Sequence, residues 1–158
     1  MISFSRKKQV DEFTSHLFDE KSFYPSFLSD LENSKDEVII ESPFISKNRM
    51  KKLMPTFKRL LDKGVTIYVT TKDPSLLDKH LASHSEAIIR EFELLGVKIF
   101  VTKNHHHRKL AILDRKVLWE GSLNILSQTN SREIMRRIEG KHYAQEMFDF
   151  LKLGRFIK

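Results

Sequence analysis

Hydrophobic residues in the middle of the chain recur with two alternating periods, one typical of strands and one typical of helices. Short β-branched and aromatic runs at 38–40, 65–70 and 97–101 predict three buried strands. The first intervening stretch predicts a helix that Ser46 caps and Gly64 ends. The second predicts a helix from about Leu76 to Leu95, ended by Gly96. This alternation of strands and helices predicts a parallel sheet.

The first 34 residues have a helical rather than a strand-like pattern. Pro25 interrupts this pattern, so it predicts two short helices that pack on the main body. The hydrophobic positions that define it are Leu17, Phe18, Phe23, Phe27, Leu28 and Leu31. We therefore divide the chain into an N-terminal helical extension, 1–34, and a main domain, 35–158.

The last third of the chain contains shorter strands. A strand from Lys109 to Asp114 leads through a turn at 115–116 to a strand at 117–119, and another strand follows near 133–138. A helix from about His142 to Leu153 closes the domain. The predicted fold class is therefore α/β, a sandwich with a mixed, mostly parallel central sheet and helices on both faces.

Composition narrows the classes of function. The 158 residues fit one domain, and the 28 Lys and Arg against 21 Asp and Glu give a net charge of +7, which favours a polyanionic partner. The chain has no cysteine, which excludes disulfides and thiolate metal sites. The start turns polar early and no later stretch is apolar for the length of a bilayer, so we expect a soluble, cytoplasmic protein without membrane contact.

The residues most informative about chemistry lie between 107 and 124. If 107–114 is extended, His107 and Lys109 point to the same side. An imidazole beside an ammonium suits a phosphate ester, because the imidazole can attack phosphorus while the ammonium holds the charged oxygens. The turn Gly121-Ser122-Leu123-Asn124 can offer a hydroxyl, an amide and backbone N–H groups to the same phosphate.

Together these residues form the pattern His-x-Lys-x4-Asp-x6-Gly-Ser-x-Asn, which resembles the HKD signature of the phospholipase D superfamily. The resemblance implies that His107 forms a phosphohistidine, and that a second histidine protonates the leaving oxygen and then activates water. Lys109, Asn124 and Ser122 would stabilise the phosphoryl group, and no metal or cofactor is required. Glu133 matches the family's carboxylate that orients the nucleophilic histidine. For Asp114 we expect structural support rather than direct chemistry.

Three consecutive histidines leave open which of them is the histidine of the motif. Only His107 has a lysine two residues later, and only Lys109 has the right spacing to Asp114. We therefore expect His105 and His106 to lie in a solvated loop. A zinc site is a weaker interpretation, because further ligands at a defined spacing are absent.

The chain contains one HKD motif, whereas the implied mechanism needs two histidines that face each other. The resemblance therefore implies a homodimer with a shared active site at the two-fold axis. Trp119 and Met135 are candidate interface residues, although such side chains more often belong to a core.

The family includes enzymes that act on lipids and enzymes that act on nucleic acids. Basic residues near the motif favour nucleic acid, with DNA ahead of RNA: Lys47, Arg49, Lys51, Lys52, Lys58, Arg59, Arg132, Arg136 and Arg137. The single-motif chain is similar to small endonucleases and to nuclease domains attached to restriction enzymes and helicases. The segment 119–137 is particularly similar to the helicase-associated group, so a helicase or restriction-type domain is a candidate partner. A phospholipase or phosphatidyltransferase, and a non-catalytic nucleic-acid-binding module, remain alternatives.

Overall fold

The structure is a computed structural model that describes residues 12–127 and 130–158. Within these residues the chain forms seven strands, four α-helices and two short 3-10 helices. In chain order they are β1 (Thr14–Asp19), α1 (Phe23–Glu32), β2 (Glu37–Glu41), α2 (Lys47–Asp62), β3 (Thr66–Lys72), a 3-10 helix (Pro74–Leu76), α3 (Lys79–Leu95), β4 (Lys98–Thr102), β5 (Leu110–Leu113), β6 (Val117–Gly121), β7 (Ile134–Glu139), α4 (Lys141–Phe150) and a 3-10 helix (Leu153–Arg155).

All seven strands form one mixed sheet in the order β1-β7-β6-β5-β2-β3-β4. The α/β class and the mixed sheet are confirmed, and β2, β3 and β4 pair in parallel as the alternating pattern predicted. The remaining four pairings are antiparallel, so the expectation of a mostly parallel sheet is wrong. For β5 and β6 the reason is the tight turn that joins them, since such a short connection allows only antiparallel neighbours.

The helices begin and end at the residues that local chemistry favours. Ser46 Oγ accepts a hydrogen bond from Arg49 N at 3.3 Å and caps α2. Gly96 ends α3 with a φ of 101°, a left-handed conformation that favours glycine. Helix α3 starts at Lys79 rather than near Leu76, because Asp78 caps it and accepts from Leu81 N at 2.9 Å.

The N-terminal region differs from its prediction. Thr14–Asp19 is the edge strand β1, which pairs antiparallel with β7, so the expected first helix is wrong for these residues. Alternation of exposed Leu17 and half-buried Phe18 also fits a strand, and the free edge of β7 supplies the hydrogen bonds. Pro25 lies in the first turn of α1, where its missing N–H costs no hydrogen bond. Residues 1–11 of this prediction lie outside the described residues, and the division at residue 34 stays a prediction.

Two hydrophobic clusters cover the two faces of the sheet. The larger one packs α1, α2 and α3 against residues such as Val38, Ile40 and Trp119. The smaller one packs α4 against Ile39 and Ile112, so helices on both faces are confirmed. Burial of this apolar area is the main stabilising contribution to the fold.

Trp119 and Met135 are 0% exposed and belong to the larger cluster. Trp119 packs against Phe18, Phe23 and Phe27, with ring centroids 4.9–6.0 Å apart. The suggestion that Trp119 and Met135 lie at a dimer interface is therefore wrong. None of the helices described is long and apolar enough to cross a membrane.

Candidate active site

Except for Asp114, the residues of the motif gather at one edge of the sheet, where β2, β3, β4 and β6 end and β5 and β7 begin. The strand register sets this arrangement, because Leu110 pairs with both Glu41 and Glu120, and Gly121 pairs with Met135. The segments 107–109, 121–124 and 131–133 therefore meet at the same edge. Only pairings between residues distant in sequence create this proximity.

His107 and Lys109 lie in an irregular segment just before β5, not within a strand as the sequence suggested. His107 is exposed and Lys109 is half-buried. Lys109 Nζ donates a hydrogen bond to His107 O at 2.7 Å, and Lys109 O accepts one from Gly121 N at 3.2 Å. The second bond extends the β5–β6 pairing by one residue and places Lys109 beside the Gly-Ser-Leu-Asn turn.

Ser122 and Glu133 are joined directly. Ser122 Oγ donates to the Glu133 carboxylate and accepts from Ile134 N at 3.0 Å. Ser131 Oγ donates to the other carboxylate oxygen at 2.9 Å. The structure therefore pairs Glu133 with two serine hydroxyls, and a contact between Glu133 and His107 stays a prediction.

The backbone at Glu133 has a further anchor that the sequence did not suggest. Glu133 N donates to the Glu20 carboxylate at 3.1 Å, and this hydrogen bond lowers the pKa of Glu20 below its ordinary value. Glu20 follows β1 directly. The edge strand that the sequence analysis misassigned therefore leads into a residue that supports the site. No local pattern around Glu20 signals this contact.

Gly121 is required by close packing between two strands. A Cβ at this position would lie 2.1 Å from Ile134 O and 2.8 Å from Met135 Sδ. Any side chain would therefore push β6 away from β7 and displace Ser122, which donates from its N–H to Ile134 O at 2.9 Å.

Asn124 is held by its backbone neighbours while its amide oxygen has no partner among the described residues. Asn124 Oδ1 is buried and, within the described part of the chain, unpaired, a rare and costly state for a polar atom. The following turn is fixed by Tyr24, whose hydroxyl lies 2.7 Å from Ile125 O, and by Ser42 Oγ, which accepts from Leu126 N at 3.1 Å. Arg49 stacks on the Tyr24 ring at 3.1 Å, and burial raises the pKa of Tyr24 to about 12.

Asp114 lies at the opposite end of β5 from Lys109, about 16 Å away at the usual rise of a strand. Its carboxylate accepts three backbone N–H bonds, from Lys35, Asp36 and Glu37, at 2.8–2.9 Å. These bonds tie the start of β2 to the β5–β6 turn. The structure does not bring Asp114 together with the other motif residues.

The sequence analysis did not identify a buried cluster that lies behind the motif. Glu41 is 1% exposed and receives two hydrogen bonds from Arg108, at 2.6 Å from Nε and 3.0 Å from Nη2. His106 is 7% exposed, so the expectation that it lies in a solvated loop is wrong, whereas His105 is exposed. His106 Nε2 lies 3.7 Å from Glu41 Oε2. The one available signal was a carboxylate that directly follows the apolar run of β2.

Burial dominates the electrostatics of this cluster. Loss of hydration raises the pKa of Glu41, against the opposing effect of Arg108. Burial, together with the nearby charges of Arg108 and Lys109, lowers the pKa of His106 to about 4. His106 is therefore neutral at pH 7. Among the described residues no group of three or more His, Cys, Asp or Glu is arranged to hold a metal ion.

The basic surface is smaller than the sequence suggested, because some of its arginines bind other residues. Arg59 pairs with Glu32 at 3.1 Å, and Arg137 pairs with Asp30 at 2.7 Å. The exposed lysines of α2 are Lys47, Lys51, Lys52 and Lys58. An open cleft of about 540 Å³ borders the motif at Lys109 and Gly121, and Arg136 is part of its lining.

A family model identifies the family of the chain. Residues 27–152 match the family model described as "Cardiolipin synthase, PLD-like domain", which covers most of the chain. The chain therefore belongs to the phospholipase D superfamily, as the HKD pattern indicated. Comparison with curated proteins gave no match.

Solved structures share the fold at low sequence identity. The phospholipase D family member Nuc from Salmonella typhimurium superposes with a TM-score of 0.73 at 16% identity, over 89% of this chain and 93% of Nuc. NucT from Helicobacter pylori gives 0.69 at 16% identity, over 89% and 94%. TrmBL2, an archaeal chromatin protein with a novel mode of DNA binding, gives 0.60 at 14% identity, over 94% and 54%. At these identities the likeness shows the fold alone.

Proposed function

We propose that this chain is a metal-independent phosphodiesterase that cleaves nucleic acid through a phosphohistidine intermediate, as a homodimer. The observation that carries the proposal is the convergence of Lys109, Ser122, Asn124 and Glu133 beside an exposed His107 at one edge of the sheet. Membership of the phospholipase D superfamily supports the same class of chemistry.

The exposed imidazole of His107 is free to approach a phosphodiester. In the first step its ring nitrogen forms a bond to phosphorus, and the bond from phosphorus to the leaving oxygen breaks. A second histidine gives that oxygen a proton. It then takes a proton from water, whose oxygen displaces His107 and yields a phosphomonoester. Both histidines return to their starting protonation states.

The charge that develops on the phosphoryl oxygens needs preorganised donors. Lys109 supplies an ammonium group, Asn124 an amide and Ser122 a hydroxyl. In the structure Ser122 Oγ donates its one proton to Glu133, so on substrate binding this hydroxyl would turn from Glu133 to a phosphoryl oxygen. Glu133 would also accept from the His107 ring and fix its orientation, as the family resemblance implies.

The second histidine comes from a second copy of the chain in this proposal. Large apolar side chains are exposed around the cleft that borders the motif: Leu17 at 62%, Ile134 at 64% and Phe150 at 79%. An exposed apolar patch of this kind is typical of a surface that a partner covers. Its position next to Lys109 would bring two copies of His107 towards a common axis.

Nucleic acid is the substrate that the charge favours. The net charge of +7 and the exposed lysines of α2 attract a polyanion. TrmBL2, whose fold is shared, binds DNA, which is compatible with this choice. We place DNA ahead of RNA, and a helicase or restriction-type domain is a candidate partner.

The test is cleavage of single- and double-stranded DNA by purified protein in EDTA. We expect cleavage by the wild type and a loss of at least about 10⁴-fold in His107→Ala, because the nucleophile is removed. His105→Ala is the matched control, since it is exposed in the same segment and should cleave like the wild type. Light scattering should give the mass of two chains.

Three results would contradict the proposal. They are cleavage that needs added Mg²⁺, cleavage that survives His107→Ala, and full activity in a monomer. Binding of DNA with a steep salt dependence but without cleavage would instead indicate a non-catalytic binding module.

A lipid substrate is the second candidate, and the family description favours it because it names cardiolipin synthase. A phosphatidyltransferase would use the same His107 attack but pass the phosphatidyl group to an alcohol. Exchange of head groups on phospholipid vesicles in EDTA, with DNA left intact, would establish this activity instead.

A further inference from the structure

A buried carboxylate lies directly behind the motif, and the proposed mechanism does not use it. Glu41 is the last residue of β2 and is 1% exposed. Ile39, two residues earlier on the same side of the strand, belongs to the α4 cluster. Removal of a carboxylate from water is costly unless a partner compensates it, so this position calls for a physical reason.

The partners of Glu41 alternate with the residues of the motif. Arg108 binds both carboxylate oxygens in a two-pronged contact, and His106 Nε2 approaches one of them to 3.7 Å. Residues two apart in an extended segment share a side. His106 and Arg108 thus contact Glu41, while among the described residues neither the intervening His107 nor the following Lys109 makes a hydrogen bond or ion pair with it.

The contacts on both sides of the segment fix its geometry. On one side Arg108 is held by a planar, charge-assisted pair of hydrogen bonds, the most geometrically specific contact available to an arginine. Along the backbone, Lys109 O is held by Gly121 N at 3.2 Å. A shift of one residue would break the Arg108–Glu41 pair and turn His107 towards Glu41.

We propose that Glu41 is a positioning residue of the active site, which holds His106 and Arg108 from the core side and so fixes the orientation of His107 and Lys109. This inference rests on the proposed function, since it assigns Glu41 to the same site. Glu41 itself would touch neither the substrate nor the reacting atoms.

The same strand offers a matched control at its other end. Glu37, the first residue of β2, binds Arg115 Nε at 2.6 Å. This pair also joins β2 to the β5–β6 region and lies on the same side of the strand, but far from the motif. A purely structural role for such pairs predicts similar effects at Glu37 and Glu41.

The experiment compares Glu41→Gln with Glu37→Gln on a chromogenic phosphodiester. Glutamine keeps the shape of the side chain and removes its charge, so both variants should fold. We expect kcat of Glu41→Gln to fall about 10²-fold with KM unchanged, because a misplaced nucleophile slows the chemical step. Glu37→Gln should keep the wild-type kcat and KM.

A double-mutant cycle with Arg108→Gln tests whether the two residues act as one unit. The double variant should be no slower than either single variant, because removal of one partner already releases the segment. Independent effects that multiply in the double variant would overturn the proposal.

A second readout does not depend on activity. NMR signals of the His107 ring, assigned by comparison with His107→Ala, should shift or broaden in Glu41→Gln and stay unchanged in Glu37→Gln. Unchanged His107 signals together with a wild-type kcat in Glu41→Gln would overturn the inference. A wild-type protein that cleaves no phosphodiester would remove the proposed function, and the ring signals would still decide the positioning role.

Discussion

The two ends of strand β5 differ in whether their polar groups have hydrogen-bond partners. At the end near Asp114, the carboxylate accepts three backbone N–H bonds and Arg115 binds Glu37. At the end near Lys109, His107 is exposed. Behind it, His106 Nε2 and Asn124 Oδ1 are buried without a hydrogen-bond partner in the described part of the chain.

This difference distinguishes polar residues that stabilise the fold from polar residues that take part in function. Polar groups that only hold a fold are almost always satisfied by hydrogen bonds. Buried groups left unsatisfied at one edge cost stability, and they are kept where a ligand or a reaction uses them. On this criterion we propose that the Lys109 end is the active end of the sheet and the Asp114 end the structural one.

The largest expected effect is on kcat. A comparison of two lysines that flank β5 tests the assignment of the two ends. Lys109→Met should lower kcat about 10³-fold, because it removes an ammonium group from the phosphoryl oxygens. Lys116→Met, in the exposed turn at the other end, should leave kcat unchanged. Initial rates on a phosphodiester measure both, and equal losses at the two ends would remove the distinction.

A smaller effect concerns stability at low pH. The pKa of His106 is lowered to about 4 in the folded chain, from an ordinary value near 6.5. Between these pH values the unfolded chain binds a proton that the folded chain does not, so stability falls as pH decreases from 6.5 towards 4. The wild type should therefore lose about 2 kcal/mol more than His106→Asn between pH 7 and pH 4.5.

Urea unfolding at the two pH values measures this difference. The raised pKa of Glu41 has the opposite effect on stability, since a folded chain that binds an extra proton gains stability as pH falls. Glu41 is present in both proteins, so the comparison cancels most of its contribution. Parallel pH curves for wild type and variant would show that His106 does not titrate as the structure indicates.

The smallest effect is at the structural end. Asp114→Asn should lower the free energy of unfolding by about 1.5 kcal/mol, since it weakens charge-assisted bonds to the backbone of 35–37. Asparagine tolerates the φ of 50° at this position, so backbone strain adds little. Chemical denaturation gives the stability, and kcat per folded molecule should stay at the wild-type value.

A large loss of kcat in a fully folded Asp114→Asn would place Asp114 in the chemistry. It would also contradict the contrast between the two ends of β5.

Much of the fold was predictable because its signals are local. The alternation of β2, α2, β3, α3 and β4 follows from short β-branched runs, a serine cap and two helix-ending glycines. β1 was not predictable in the same way. Leu17 and Phe18 fit a helix or a strand, and the free edge of β7 decided between them.

The sequence by itself determined the family and the identity of the motif residues, because the spacing of His107, Lys109 and Asn124 is a property of the chain alone. Only the tertiary structure decided that Glu41 and His106 are buried behind the motif, and that Glu20 and Ser122 hold Glu133. These contacts join residues 11 to 113 positions apart. Burial and hydrogen bonding between such residues depend on strand order and register, which no local pattern encodes.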